Sequence, residues 1–433
     1  MAAKFLHSIP LPHHKKTQDS FPIRLTDVKS VTIPMSMHIG APAKPVVKVG
    51  DHVKIGTLIG EAGGFVSAPV HASISGTVKK IDDMLLSSGA SCQAITIESD
   101  GLNEFDENLK PPVLTDLASF IQAVRDSGAV GLGGAGFPTS VKLNVDPDKV
   151  EYILINGAEC EPYITSDSHT MIDNPDRMYE GLTALKRFYP KAHVIIGIEN
   201  NKKKAIQVMR EYTDAVDKCD VCELPASYPQ GGEKVLIYNT TGRMVPEGKL
   251  PFDVGCIVLN ATTLSFIGKY LMTGRPLTTK CVTVDGSAVK EPKNVIAYVG
   301  TAVRDVVELA GGLKEEPSKV LYGGPMMGLA MPDMDQPVLK NTNALLFFNE
   351  KDAKLPEPSA CIRCGRCIEA CPLKLMPTEL EQACQQRDAE RLKKLKIGLC
   401  MECGSCAFVC PAKRNLVESH KLAKIIVREA DAK

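Results

Sequence analysis

Cys361-Ile-Arg-Cys364-Gly-Arg-Cys367-Ile-Glu-Ala-Cys371-Pro372 and Cys400-Met-Glu-Cys403-Gly-Ser-Cys406-Ala-Phe-Val-Cys410-Pro411 are one phrase written twice. Each reads C-x2-C-x2-C-x3-C-P, the spacing of a bacterial two-cluster ferredoxin. Three thiolates on one tight loop reach three irons of a cubane, and the fourth cysteine starts a helix that crosses to the other cluster. The spacing therefore assigns Cys361, Cys364, Cys367 and Cys410 to one [4Fe–4S] cluster. Cys400, Cys403, Cys406 and Cys371 take the other. Zinc would use two C-x2-C pairs per site and leave the C-x3-C-P tail unexplained. Gly365 and Gly404 keep each loop small enough for backbone N–H groups to approach the sulfurs.

The rest of the chain narrows the class. It has 433 residues, 15 cysteines, 51 basic and 51 acidic side chains. That length predicts several domains. Zero net charge argues against nucleic acid as a partner. No apolar run approaches the length of a membrane span or signal peptide, so a cytosolic location is expected. There, clustered cysteines mean metal or redox chemistry rather than disulfides. Nine of the 15 lie between 361 and 410. Cys92, Cys256, Cys281 and Cys384 read as buried thiols, and Cys219-Asp-Val-Cys222 lacks a matching pair. Between the runs, PTELEQACQQRDAERLKKLKI has a helical composition, so a largely helical cluster domain is expected. Its basic stretch from Arg391 to Lys396 is the expected docking patch for an acidic partner.

Upstream, residues 40–81 alternate short β-rich stretches with glycine punctuation. VKVGDHVKIGTLIGE and SAPVHASISGTVKKI resemble the halves of a biotinyl/lipoyl-type barrel-sandwich domain. The intervening Glu61-Ala-Gly-Gly-Phe-Val has no lysine to modify. From about 112 to 275 helix and strand signals alternate: helices over 114–126, 174–188 and 202–213, strands over 150–155 and 192–198. This is the rhythm of an open α/β sheet, whose ligands bind at the carboxyl ends of strands. Four glycines stand in Gly131-Leu-Gly133-Gly134-Ala-Gly136, followed by Phe-Pro-Thr-Ser-Val-Lys142. Such a loop lets backbone N–H groups cradle a phosphate. Asn156-Gly-Ala-Glu159-Cys160-Glu161-Pro-Tyr163 follows a strand. Tyr228-Pro-Gln-Gly231-Gly232-Glu233-Lys234 opens a helix, and Leu259-Asn260-Ala-Thr-Thr263 ends another strand.

The glycine loop, NGAECEPY, YPQGGEK, LNATT and the two cysteine runs, in that order, resemble the C subunits of Rnf electron transport complexes over nearly the whole chain. The flavin module is also similar to the flavin subunit of respiratory complex I. The resemblance implies an α/β multidomain protein. Residues 1–110 would be an N-terminal arm and barrel-sandwich domain, and 111–275 a Rossmann-like FMN- and NADH-binding domain. Residues 276–345 would be a β-grasp (SLBB) domain, and 346–433 a helical two-cluster ferredoxin-type domain. Non-covalent FMN would place its phosphate near Asn260, Thr263 and the glycine loop. Its ring and ribityl chain would lie against Gly131, Gly133, Gly134, Lys142, Asn156 and Glu159. Tyr228, Gly231 and Glu233 complete the cofactor-binding set, with Glu161 toward the nicotinamide nucleotide. Leu132, Ala158 and Gly232 depart from the complex I pattern at nucleotide-contacting positions. No side chain need be catalytic, because the flavin does the chemistry.

The implied function is electron transfer between ferredoxin-derived carriers and NAD. The implied setting is the cytoplasmic face of a membrane complex that pumps Na+ or H+, and partner subunits do the pumping. A corrinoid reductase of bacterial microcompartments and a non-catalytic relay and docking subunit are the alternatives.

Overall fold

The computed structural model describes residues 5–432. Strand Tyr152–Gly157 is the pivot of its α/β layer. Ile153, Leu154 and Ile155 are fully enclosed, as befits a parallel strand covered by helices on both faces. It pairs in parallel with His193–Glu199 on one side and with Cys256–Asn260 on the other, and Cys219–Leu224 lies beyond His193–Glu199. The chain thus builds outward through two strands and then returns to the opposite side of the first. That reversal is a topological switch point, and open α/β sheets bind their ligands at such a carboxyl-end lip. Asn156 and Asn260 are register partners at this lip.

Helices Leu117–Asp126, Pro175–Phe188 and Lys203–Thr213 fall within three residues of their expected bounds, and Ala261–Thr273 follows the strand that Asn260 ends. Leu117–Asp126 starts at a reciprocal cap. Asp116 accepts from the Ser119 N–H at 2.8 Å, and the Ser119 hydroxyl lies 3.0 Å from the Asp116 N–H. One apolar core joins this layer, with Phe120 stacked on Phe188 and with Met178, Leu182, Leu185 and Leu264 fully buried. Pro175–Phe188 and Ala261–Thr273 pack backbone to backbone. A Cβ at Gly268 would stand 1.9 Å from the Arg177 carbonyl oxygen, so only glycine fits.

The β-rich parts do not form two separate cores. Strands Ser30–Pro34, Ser91–Ser99, Gly76–Leu85 and His52–Val53 make one antiparallel sheet. Lys44–Pro45, Leu58–Glu61 and Val70–His71 make the sheet facing it. The six-stranded β-grasp sheet includes Thr279–Asp285, Lys293–Tyr298 and Ala344–Phe348, and it takes Ile23–Arg24 from the N-terminal region as an edge strand. Val31, Ile33, Ile59, Val70, Ile95 and Ile97 share a single apolar cluster with Val282, Val295, Val306, Leu345 and Phe347. The early and late parts of the chain are therefore one packed body, which no local periodicity reveals.

The cluster region is helical, with Pro377–Gln385, Ala389–Lys394 and Leu416–Asp431 around a core of Leu380, Leu392, Ile397, Ala423 and Ile426. The two cysteine runs fold alike to the residue. Arg363 and Glu402, Gly365 and Gly404, and Lys374 and Lys413 occupy equivalent places and all have positive φ, between 52° and 81°. Arginine, glutamate and lysine accept the milder values of 52–57°, and the middle pair, at 78° and 81°, takes glycine.

One polar group pins three parts together. Lys340 is fully buried, and its Nζ donates to the carbonyls of Pro69 at 2.6 Å and Gly128 at 2.9 Å. Burial without a carboxylate pulls its pKa down to about 7. The neutral amine still has two hydrogens for two carbonyls. Between pH 7 and its unfolded value near 10.5, the unfolded chain carries a proton that the folded chain has shed, so stability rises with pH. Lys340→Met should flatten that rise by up to about 1.4 kcal/mol per pH unit in urea titrations.

Candidate functional site

The crevice at the switch point gathers most of the expected residues. The glycine-rich loop crosses the start of helix Ala261–Thr273. The Leu132 N–H donates to the Thr263 hydroxyl at 2.9 Å, and the Asn260 side chain caps the same helix by accepting from the Thr263 N–H at 3.2 Å. A Cβ on Gly133 would stand 2.7 Å from Asn260 Nδ2. Gly134 has φ +134°, and a Cβ there would face open space. The loop is therefore held from beneath and open above, as a cradle for an anionic ligand needs.

The opposite wall closes through polar contacts. Lys142 Nζ donates to Glu233 at 2.8 Å and to the Val258 carbonyl at 3.2 Å. Asn156 Nδ2 donates to the Gly231 carbonyl at 2.8 Å. A Cβ on Gly231 would stand 2.5 Å from the Ala158 carbonyl oxygen, which explains the glycine. Gly133, Asn260 and Thr263 thus meet at the glycine loop, Lys142 meets Glu233, and Asn156 meets Gly231. Gly131 bonds within the loop, and Gly134 bonds to Asn341.

Glu159, Glu161 and Tyr228 are committed elsewhere. Glu159 is 6% exposed. It accepts from Lys202 Nζ and the Ser168 hydroxyl, each at 2.8 Å, and from the Asp167 N–H at 2.7 Å. Burial pushes its pKa up, but Lys202 and Lys15 outweigh this and hold it below the usual value. Glu161 reaches the β-grasp domain instead. Its carboxylate accepts from the N–H groups of Met327 at 2.8 Å and Met326 at 3.1 Å, and burial raises its pKa to about 7. The Tyr228 hydroxyl donates to the Cys403 carbonyl at 2.6 Å. That bond ties the flavin-type module to a cysteine loop.

Several contributors have no sequence signal. Lys15, in the N-terminal arm, sends its ammonium to the carbonyls of Glu159, Glu161 and Ile164. Lys202 is one of three adjacent lysines, and nothing in the pattern marks which one turns inward. Glu199 ends the neighbouring strand at 1% exposure, with Oε2 unpartnered. Asp167 accepts from Asn260 at 2.7 Å and from Thr262 at 2.6 Å, fixing the helix cap.

The cysteine runs interlock. Cys371 of the first run lines one cavity with Cys400, Cys403 and Cys406 of the second. Cys410 of the second run lies beside Cys367 and Cys361 of the first, where burial and these neighbours raise the Cys367 thiol. Burial, with Cys403 and Cys371 adding to it, pushes Cys400 up to about 11. Burial likewise raises Cys371 and Cys406, and a polynuclear cation placed among these thiols would reverse that sense. The donor set suits iron–sulfur ligation. Among the other cysteines, Cys92, Cys256 and Cys384 are buried, while Cys281 is only partly so.

The basic stretch from Arg391 to Lys396 is not the free patch the sequence predicts. Arg391 pairs with Glu379, Lys393 with Glu390 and Asp431, and Lys396 with Glu247. These charges hold the cluster domain together and attach it to its neighbour.

Comparison with known proteins bears on the same regions. Residues 3–102 match the RnfC barrel sandwich hybrid domain, 124–269 the Nuo51 FMN-binding domain, and 281–330 the SLBB domain. The C subunit of the proton-translocating ferredoxin:NAD(+) oxidoreductase complex of Clostridium ljungdahlii is 42% identical over 84% of this chain and 81% of its own. The C subunit of the Na(+)-translocating complex of Acetobacterium woodii is 41% identical over 97% of this chain and 96% of its own. The C subunit of the ion-translocating oxidoreductase complex of Pseudomonas aeruginosa is 38% identical over 87% of this chain and 50% of its own. A chain of an NAD+-reducing [NiFe]-hydrogenase shares the fold, with a TM-score of 0.50 at 19% identity, over 72% of this chain and 63% of its own.

The Glu159–Lys202 pair supplies a test. Lys202→Met strands a buried carboxylate and should cost about 3–5 kcal/mol in urea unfolding. Glu159→Gln combined with Lys202→Met should recover part of that loss, because no uncompensated charge remains. Equal losses in the single and double variants would show that packing rather than charge sets the cost.

Proposed function

The chain belongs to the RnfC family, the C subunits of ion-translocating ferredoxin:NAD oxidoreductase complexes, and from that premise we propose that it exchanges electrons with NAD(H) through FMN and two [4Fe–4S] clusters. Four modules would divide the work, with bounds near residues 110, 275 and 345. FMN supplies the exchange between two-electron hydride chemistry and one-electron transfer when it is bound.

The residues around it bind and orient. The glycine-rich loop with Gly131, Gly133 and Gly134, the helix cap at Asn260 and the Thr263 hydroxyl would receive the phosphate. Lys142, Asn156, Gly231 and Glu233 would line the ring and ribityl side. Glu159 would act from behind, its carboxylate being held by Lys202 rather than offered to a ligand. Cys361, Cys364, Cys367 and Cys410 would ligate one cluster, and Cys400, Cys403, Cys406 and Cys371 the other.

The observation that carries this reading is the seam between flavin-type module and cysteine loop. Tyr228 bonds the Cys403 carbonyl, and Ile9, Leu11, Tyr228 and Ala370 exclude water there together with Cys160, Met326 and Cys403. Met401 packs so closely that a Cβ on Gly232 would stand 2.9 Å from its Cε. The Gly232 departure from the complex I pattern thus lies at this seam, against Met401. A packed seam would fix the distance between two cofactors, on which one-electron transfer depends. Cys361 and Cys364 are exposed on the outer side, where a partner's electron carrier could approach.

Among the described residues no helix is long and apolar enough to cross a membrane. We place the chain peripherally, on the cytoplasmic face of the membrane complex, with ferredoxin or a partner subunit as donor. The corrinoid-reductase reading gains no support from the relatives above, all of which are C subunits.

Two measurements test the proposal. Purified protein should carry flavin and reduce an artificial acceptor with NADH, and full cluster loading without flavin or NADH oxidation would overturn the reading. Cys371→Ala should roughly halve the iron content and remove the cluster held by Cys400, Cys403 and Cys406, although it lies in the first run. Loss of the other cluster instead would refute the crosswise assignment.

A further inference from the structure

Between the β-grasp sheet and the backbone-packed helices Pro175–Phe188 and Ala261–Thr273 lies a recess of about 130 Å³. Four cationic side chains line it: Arg24, Arg177, Lys269 and Lys280. Arg24 arrives on the short edge strand Ile23–Arg24. Lys280, 2% exposed, donates to the Leu132 carbonyl at 3.0 Å. Among the described residues, the other three meet no carboxylate within salt-bridge reach. The recess has one acid in its lining, Asp173, and that acid is engaged with His169 Nδ1 at 2.9 Å.

Lys280 has the buried acids Asp167 and Glu159 near it, but Lys269 and Arg177 face charges of their own sign. Burial lowers the Lys269 pKa to about 8, and its charged neighbours Arg177, Arg24 and Arg275 all push the same way. Arg177 is lowered first by burial and then by Arg24. Gathering cations in a partly desolvated hollow is costly unless an anion joins them. Guanidinium forks match the oxygens of a phosphoryl group, and a compact ammonium adds charge behind them. Ser265 and Thr279 bring hydroxyls to the same wall. The recess runs from Thr262, in the first turn of helix Ala261–Thr273, to Lys269 roughly two turns further on, and Leu132 lines it from the glycine loop.

We propose that this recess binds a phosphoryl-bearing anion, held by Arg24, Arg177 and Lys269. The group could belong to a soluble phosphate ester or to a lipid headgroup. The protein for the test is the full chain loaded with flavin and clusters, so added phosphate cannot act through an empty flavin site. Inorganic phosphate and ADP serve as soluble probes, and vesicles of phosphatidylglycerol against phosphatidylcholine serve as the membrane probe.

The expected result is a saturable rise in Tm with a soluble probe, or flotation with phosphatidylglycerol alone. Either response should be lost in the Arg177→Gln, Lys269→Met double variant. The responding probe names the source. At low salt without phosphate, the double variant should melt no lower than the parent, because it removes like-charge repulsion. Flavin content and NADH oxidation should be unchanged, which separates failure here from failure of the flavin assignment. No response to any probe, or a response that survives in the double variant, would overturn the site.

Discussion

A carboxylate and an ammonium, 2.8 Å apart and almost wholly buried, fix the end of the central strand. Without Lys202, the loop from Asn156 to Tyr163 would bury a charged Glu159 without its paired ammonium, at a cost of several kcal/mol. With it, the loop takes one path, and its neighbours follow. The backbone carbonyls of that path receive Lys15 from the N-terminal arm. The next acid, Glu161, is directed outward to the N–H groups of Met326 and Met327. Met326 in turn sits against the second cysteine loop, where a Cβ on Gly404 would stand 3.0 Å from its carbonyl oxygen. One ion pair thus sets the relation of four parts of the chain.

Local constraints of this protein are the ones its sequence makes legible. Cysteine spacing is a local property, since the ligands of an iron–sulfur cluster are set by loop length, so the crosswise grouping of Cys371 with the second run follows from the sequence. The helices and strands of the α/β layer are legible for the same reason, because their amphipathic periods are local. The glycine loop is legible as a cradle, and the structure adds why Gly133 faces Asn260.

The unreadable parts are long-range and polar. Glu159 looks like a ligand group because it stands at a strand end. Its partner lies 43 residues away among three lysines, and no pattern distinguishes them. The run from Arg391 to Lys396 looks free because its acids, Glu379, Asp431 and Glu247, are distant in sequence. The shared core of sandwich and β-grasp domains is likewise hidden. Alternation within a strand says which face is buried, never which other strand buries it.

Placing the seam on the cluster side rather than on the flavin side has a physical logic. A wall that receives a ligand needs open space, as at Gly134. A one-electron step needs the reverse: a fixed distance and no water. The structure separates the two demands. Glycines and polar side chains, among them Gly133, Gly134, Asn156 and Asn260, stand at the strand ends. Tyr228, Met326, Met401 and the buried arm residues Ile9 and Leu11 face the cysteine loop. Tyr228 and Gly231 sit three residues apart on one turn, with one face serving each demand. That short span, rather than either side alone, is where a change in packing would reach both the glycine-rich lip and the cysteine loop.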